Sequence, residues 1–188
     1  QAALEGDRLT LGLAGCDTRL VYRVEARPDW LAFRLESVAG TRPSLVTLLR
    51  LRVAITDHVG SALGGAWDAE QAVCLRVLNL QTDGGAGRGK GYAELTTATQ
   101  DAPGPKLEGA GAALVVAPTR ELRAVLHRLS AEYGLPRNED VNGVPSKDLP
   151  IARGSYWFLS FGEKDVEKVI EYCQRSGFRQ VMMGSGSW

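Results

Sequence analysis

The chain has 188 residues, of which 44% are hydrophobic and 23% are charged. Its 22 basic and 22 acidic residues balance, so the formal net charge is zero and the isoelectric point is about 6.9. These values indicate a globular chain that can bury a hydrophobic core, and they exclude disorder over most of its length. The balanced charge argues against nucleic-acid binding or attachment to an anionic membrane, and no apolar stretch approaches the ~20 residues of a membrane-spanning helix.

Residues 1–117 contain short runs in which apolar and polar side chains alternate. Leu31, Phe33 and Leu35 alternate with polar residues, and a longer run over residues 45–55 places Leu45 on its apolar side. A period of two with one charged face is typical of antiparallel strands that are packed on one side. Clusters of Gly, Pro and Asp separate about five to eight such runs, which predicts a β-sandwich.

The pattern changes at residues 112–117, an unbroken apolar run that predicts a strand buried on both faces. Thr119 is predicted to be the N-cap of a helix, and Gly134 followed by Pro136 to end it. The apolar stripe of this helix comprises Leu122, Val125, Leu126, Leu129 and Tyr133.

Three prolines and few hydrophobic residues between Leu135 and Gly154 predict a linker on the surface. Beyond it, residues 155–161 predict a strand, residues 163–175 a helix and residues 179–184 a second strand. Strand, helix and strand within about thirty residues predict a parallel βαβ unit. The helix is expected to bury Val166, Val169, Ile170 and Cys173 on its inner face.

The predicted organisation is therefore a β-sandwich over residues 1–117, a helix and linker over 118–154, and a βαβ unit over 155–188. One βαβ unit cannot bury both faces of its sheet. We expect it to continue into an α/β domain or to dock against something outside this sequence. The start at Gln1 without an initiator Met, and the stop at Trp188 just after an apolar run, suggest a fragment.

This order of parts resembles the N-terminal portion of α-galactosidase-like glycoside hydrolases, in which a β-sandwich precedes a catalytic (β/α)8 barrel. The segments RGSYWF (residues 153–158) and GFRQVMMGSGSW (177–188) are similar to the beginning of such a barrel, covering its first βαβ unit. Upstream, LEGAGAALV (107–115) and YGLP (133–136) are similar to segments of bacterial relatives of that group.

The resemblance implies that the parent protein hydrolyses glycosidic bonds with two carboxylates on later barrel strands. It therefore assigns no catalytic residue, cofactor or metal ligand to this chain, which is expected to be inactive alone. Ligands of such barrels bind at the carboxyl ends of the strands. Trp188 is accordingly expected to stack on a sugar ring, and Ser185 and Ser187 to hydrogen-bond sugar hydroxyls.

Other motifs favour structural interpretations. The glycine-rich segment 84–91 lacks the helix and the Lys-Ser/Thr of a phosphate-binding loop and is interpreted as a mobile hairpin loop. His58, placed in a turn, and His127 have no further ligands at metal-site spacing. Trp30 and Trp67 could mark a carbohydrate-binding surface, although core or rim positions are more common for this residue.

The three cysteines, Cys16, Cys74 and Cys173, are interpreted as buried or half-buried thiols, with a Cys16–Cys74 disulfide as the alternative.

The main alternative function is a self-contained, non-catalytic β-sandwich that binds carbohydrate or has a structural role. A barrel with a different chemistry is a further alternative, because fold alone does not determine function. The sugar, the oligomeric state and the cellular compartment stay open.

Overall fold

The computed structural model describes residues 1–100, 106–136, 140–145, 149–151 and 156–183. They form mostly antiparallel β-sheets with two short helices. The chain divides into two compact units, Gln1–Leu135 and Pro136–Trp188. Neither helix is long and apolar enough to cross a membrane within the described ranges.

The described residues of the first unit form eleven strands and one helix. In chain order these are β1 (Ala2–Glu5), β2 (Arg8–Gly12), β3 (Arg19–Ala26), β4 (Trp30–Ala39), β5 (Leu45–Val53), β6 (His58–Gly60), β7 (Gly65–Trp67), β8 (Gln71–Val77), β9 (Asp83–Arg88), β10 (Ala93–Gln100), β11 (Gly111–Pro118) and α1 (Leu122–Glu132). Eight strands form one antiparallel sheet in the order β1-β2-β3-β4-β11-β8-β7-β6. A second sheet has the order β5-β10-β9.

The central strands of the eight-stranded sheet have apolar side chains on both faces. On one face, Trp30 and Val115 pack with Val125 and Leu129 of α1 in one buried cluster. On the other face, β8 and β10 contribute to a cluster that joins the two sheets, made of Ala66, Val73, Leu75, Ala93 and Leu95. The predicted strand over residues 112–117 is confirmed and is covered on both sides, except at Val116, which is 56% exposed.

Two predicted packing positions are wrong, each for a different reason. β5 carries an extra residue where Thr97 pairs with Leu49 and Ala98 pairs with Thr47. This bulge shifts the inward-facing positions by one residue, so Val46 is buried and Leu45 is half exposed. In β4, Leu31 is also exposed, because the start of this strand turns its other face towards α1.

Helix α1 begins later than the sequence predicts. Its N-cap is Glu121, which makes no side-chain capping bond. The predicted cap, Thr119, instead donates its hydroxyl to the Asp68 carbonyl oxygen at 2.9 Å. The predicted apolar stripe is confirmed at its centre, where Leu122, Val125 and Leu129 are buried.

The second unit contains a small hairpin and a parallel strand pair. Strands β12 (Asp140–Val141) and β13 (Val144–Pro145) are joined by Asn142 and Gly143, both with positive φ, as in a tight hairpin turn. This hairpin lies within the segment that the sequence predicts to be a linker.

The predicted strand, helix and strand are present as β14 (Tyr156–Leu159), α2 (Val166–Ser176) and β15 (Gln180–Met183), with β14 and β15 parallel. A short 3-10 turn at Glu163–Asp165 precedes α2. Gly177 ends α2 with φ 76°, a left-handed conformation that favours glycine. The interpretation of this unit as the start of a barrel stays a prediction.

The predicted inner face of α2 is correct only in part. Val169 and Cys173 are buried, whereas Val166 and Ile170 are 36% and 51% exposed.

The cysteines form no disulfide. Cys74 and Cys173 are buried free thiols, but Cys16 is exposed, so its predicted burial is wrong. Burial raises the pKa of the Cys74 thiol to about 11.

Candidate functional site: a groove on the three-stranded sheet

An open groove of about 380 Å³ lies along β9 and β10 and beside Ser61, in the turn between β6 and β7. Glu94 and Thr96 of β10 face this groove, because side chains alternate along a strand and Leu95 between them faces the core. The lining residues are Ser61, Gly85, Ala86, Gly87, Arg88, Gly89, Tyr92, Glu94 and Thr96.

The floor of the groove is strand backbone. Gly87 pairs with Glu94 and Gly85 pairs with Thr96, so the two outward-facing positions of β9 that line the groove are both glycines. The prediction of a mobile loop over residues 84–91 is therefore wrong for residues 84–88, which belong to strand β9. The glycines at alternate positions, 85 and 87, are the sequence signal for this strand, but a glycine-rich segment is also typical of a loop.

Two arginines hold the carboxylate of Glu94. Arg50 Nη2 donates to Oε1 at 2.7 Å, and Arg52 Nε donates to Oε2 at 2.8 Å. These hydrogen bonds lower the pKa of Glu94 below its ordinary value, so its carboxylate stays ionised at neutral pH. An ionised carboxylate accepts hydrogen bonds and has no proton to donate as a general acid.

Tyr92 is fixed at one end of the groove. The Arg52 guanidinium lies over its ring at 4.9 Å from the ring centre. The backbone of Gly89 approaches the ring so closely that a Cβ atom there would overlap it. Because two groups already contact this ring, Tyr92 forms a wall and is not an open stacking surface.

Arg88 and Ser61 also line the groove. Arg88 donates to the carbonyl oxygens of Thr56 and Asp57, the latter at 3.0 Å, and so ties the end of β9 to the segment before β6. Ser61 lies in the turn between β6 and β7, where its carbonyl accepts from the Gly64 N–H at 3.0 Å.

These groups are suited to binding. The lining offers serine and threonine hydroxyls, a charged carboxylate, a guanidinium and backbone polar atoms. It has one carboxylate, which two arginines hold, and neither histidine nor cysteine. The described ranges of the chain also hold no cluster of three or more potential metal ligands.

A second hollow of about 430 Å³ lies beside β1, β2 and β3, and its lining includes Gln1, Thr10 and Arg19. Arg19 is the one ionisable side chain there, and the Gln1 amine donates to the Gly12 carbonyl. This hollow therefore offers fewer side-chain contacts to a ligand.

The residues that the sequence predicts to bind sugar, Ser185, Ser187 and Trp188, lie outside the described residues. The structure places the two candidate tryptophans of the first unit away from the groove lining. Trp30 is 6% exposed and packs against α1, so it cannot form a sugar-binding surface.

Trp67 and His58 lie on the neighbouring strands β7 and β6. Trp67 is half-buried, and its ring stacks on His58 with ring centres 5.5 Å apart. His58 lies on strand β6, so its predicted position in a turn is wrong.

Comparisons of the chain with protein-family models, with curated proteins and with solved structures found no significant match.

Proposed function

We propose that this chain is a non-catalytic portion of a carbohydrate-active protein that hydrolyses glycosidic bonds with a carboxylate pair located downstream. In this proposal the first unit is an accessory β-sandwich, and the β14-α2-β15 unit begins a (β/α)8 barrel. Carbohydrate is the proposed partner, bound in part through Ser185, Ser187 and Trp188.

The observation that carries the proposal is the order of the two kinds of sheet. A two-sheet antiparallel unit with a shared core is followed by α1 and then by a parallel strand pair with a crossover helix. Parallel pairs occur in α/β domains, where helices cover the sheet. The half-exposed Ile170 on α2 fits a helix that packs against further elements.

A self-contained carbohydrate-binding module is the second candidate. The groove on the three-stranded sheet favours it, because its lining is rich in hydrogen-bonding groups. This candidate needs no residues beyond the chain itself.

The test compares the product of the full reading frame with this chain alone, using aryl glycosides of several sugars. We expect hydrolysis by the full product and none by the chain alone. A full product that hydrolyses no glycoside, or a reading frame that ends at Trp188, would contradict the hydrolase proposal. Oligosaccharide binding by the chain would then support the second candidate.

A further inference from the structure

Gly85 and Gly87 have no structural requirement to be glycine. Neither has a positive φ, so an L-amino acid can adopt their backbone conformation. A Cβ atom built on Gly87 meets no atom within 4 Å, and one on Gly85 meets only Ser61, at 3.8 Å. Both positions therefore have room for a side chain.

Neighbouring glycines in the same segment differ in this respect. A Cβ on Gly84 would lie 2.8 Å from Val77 Cγ1 and 3.2 Å from Thr97 Cγ2, and one on Gly89 would overlap the Tyr92 ring. Packing explains Gly84 and Gly89, but it does not explain the two that face the groove.

Glycine in a strand interior weakens the strand and often marks a place where a ligand approaches the backbone closely. Here Gly85 and Gly87, which packing does not explain, are two residues apart on β9 and pair with Thr96 and Glu94 of β10. Together they leave a flat strip of backbone as the floor of the groove.

We propose that this groove binds a neutral saccharide whose ring lies directly on the β9 backbone at Gly85 and Gly87. The inference rests on the proposed role in carbohydrate recognition and assigns it a site in the first unit. The Glu94 carboxylate accepts hydrogen bonds from sugar hydroxyls, and the hydroxyls of Ser61 and Thr96 can donate or accept.

The charges of the groove favour a neutral ligand. Glu94 and Arg88 are its two charged lining residues, and they balance. Both are already bonded within the protein, Glu94 to Arg50 and Arg52, and Arg88 to two backbone carbonyls. A volume of about 380 Å³ lies within the usual range for small-ligand sites.

The test uses Gly85→Ala and Gly87→Ala in the full chain, with Gly162→Ala as the matched control. Gly162 also has open space around its Cβ position but lies in the second unit. Calorimetric titration measures binding of neutral cello-, galacto-, manno- and xylo-oligosaccharides, and circular dichroism checks the fold. We expect at least one oligosaccharide to bind the wild type and the control equally, and each groove variant to bind it about tenfold or more weakly.

Two results would overturn the inference in distinguishable ways. Saccharide binding that is unchanged in both groove variants would reject the groove and leave the proposed carbohydrate role standing. If no neutral oligosaccharide binds the wild type, the groove assignment is rejected. Hydrolysis by the full reading-frame product then decides the proposed function separately.

Discussion

Leu95 provides a direct test of the packing between the two sheets. It is fully buried on β10, in the cluster that includes Val73 and Leu75 of β8. Leu95→Ala removes apolar atoms whose burial stabilises a protein by about 2–3 kcal/mol, and the remaining cavity adds to the loss. We therefore expect the free energy of unfolding to fall by about 3–5 kcal/mol.

Leu45→Ala is the matched control, because it removes the same atoms from the same sheet. Leu45 is 50% exposed, so its truncation leaves no closed cavity and should cost about 1 kcal/mol or less. Urea unfolding followed by circular dichroism measures both variants. Equal losses in the two variants would show that the sheets do not share a tightly packed core.

Three further predictions concern individual residues. Burial raises the pKa of Tyr22 from 10.0 to about 12, so the folded state disfavours its ionised form. Stability should be unaffected by this group below pH 10 and should fall by up to ~2–3 kcal/mol between pH 10 and 12, as the unfolded chain ionises first. Tyr22→Phe should reduce that loss, and an unchanged alkaline unfolding curve would contradict the prediction. Cys16 should react with a thiol reagent within the dead time of mixing, whereas Cys74 should react only on unfolding, which absorbance during labelling can follow. Gly177→Ala should destabilise α2 by about 1 kcal/mol, because alanine disfavours the left-handed conformation there, and Gly162→Ala should not. Amide hydrogen exchange in α2 distinguishes the two variants.

Local periodicity predicts most of the elements. Leu122, Val125 and Leu129 recur at helical spacing, and all three are buried against the sheet. The end of α2 is predictable from Gly177 alone, because glycine readily adopts the left-handed conformation found there.

Features that depend on partners remote in sequence could not be predicted in this way. The bulge in β5 is a property of its pairing with β10, so nothing in residues 45–53 reveals that Leu45 faces solvent. The late start of α1 has a similar cause, since Thr119 bonds to Asp68, a distant residue.

The groove could not be predicted from the sequence either, because it depends on strand pairing between residues remote in sequence. Glu94 of β10 lines the groove and is held by Arg50 and Arg52 of β5, an arrangement that depends on the pairing of these two strands. A run of glycines has no hydrophobic alternation, so β9 becomes recognisable as a strand only through its ladder with β10.

The position of β11 has a consequence for the order in which the protein folds. Val115 pairs with Trp30 on one side, and Val116 pairs with Val73 on the other. Until β11 leaves the ribosome, β4 and β8 each have an open hydrogen-bonding edge, and the segment that forms α1 has yet to emerge. Contacts between such remote segments slow folding. We therefore expect the nascent chain to stay incompletely folded, and prone to edge-to-edge association, until β11 has been synthesised. Chaperones that bind exposed strands should then improve the yield of folded protein.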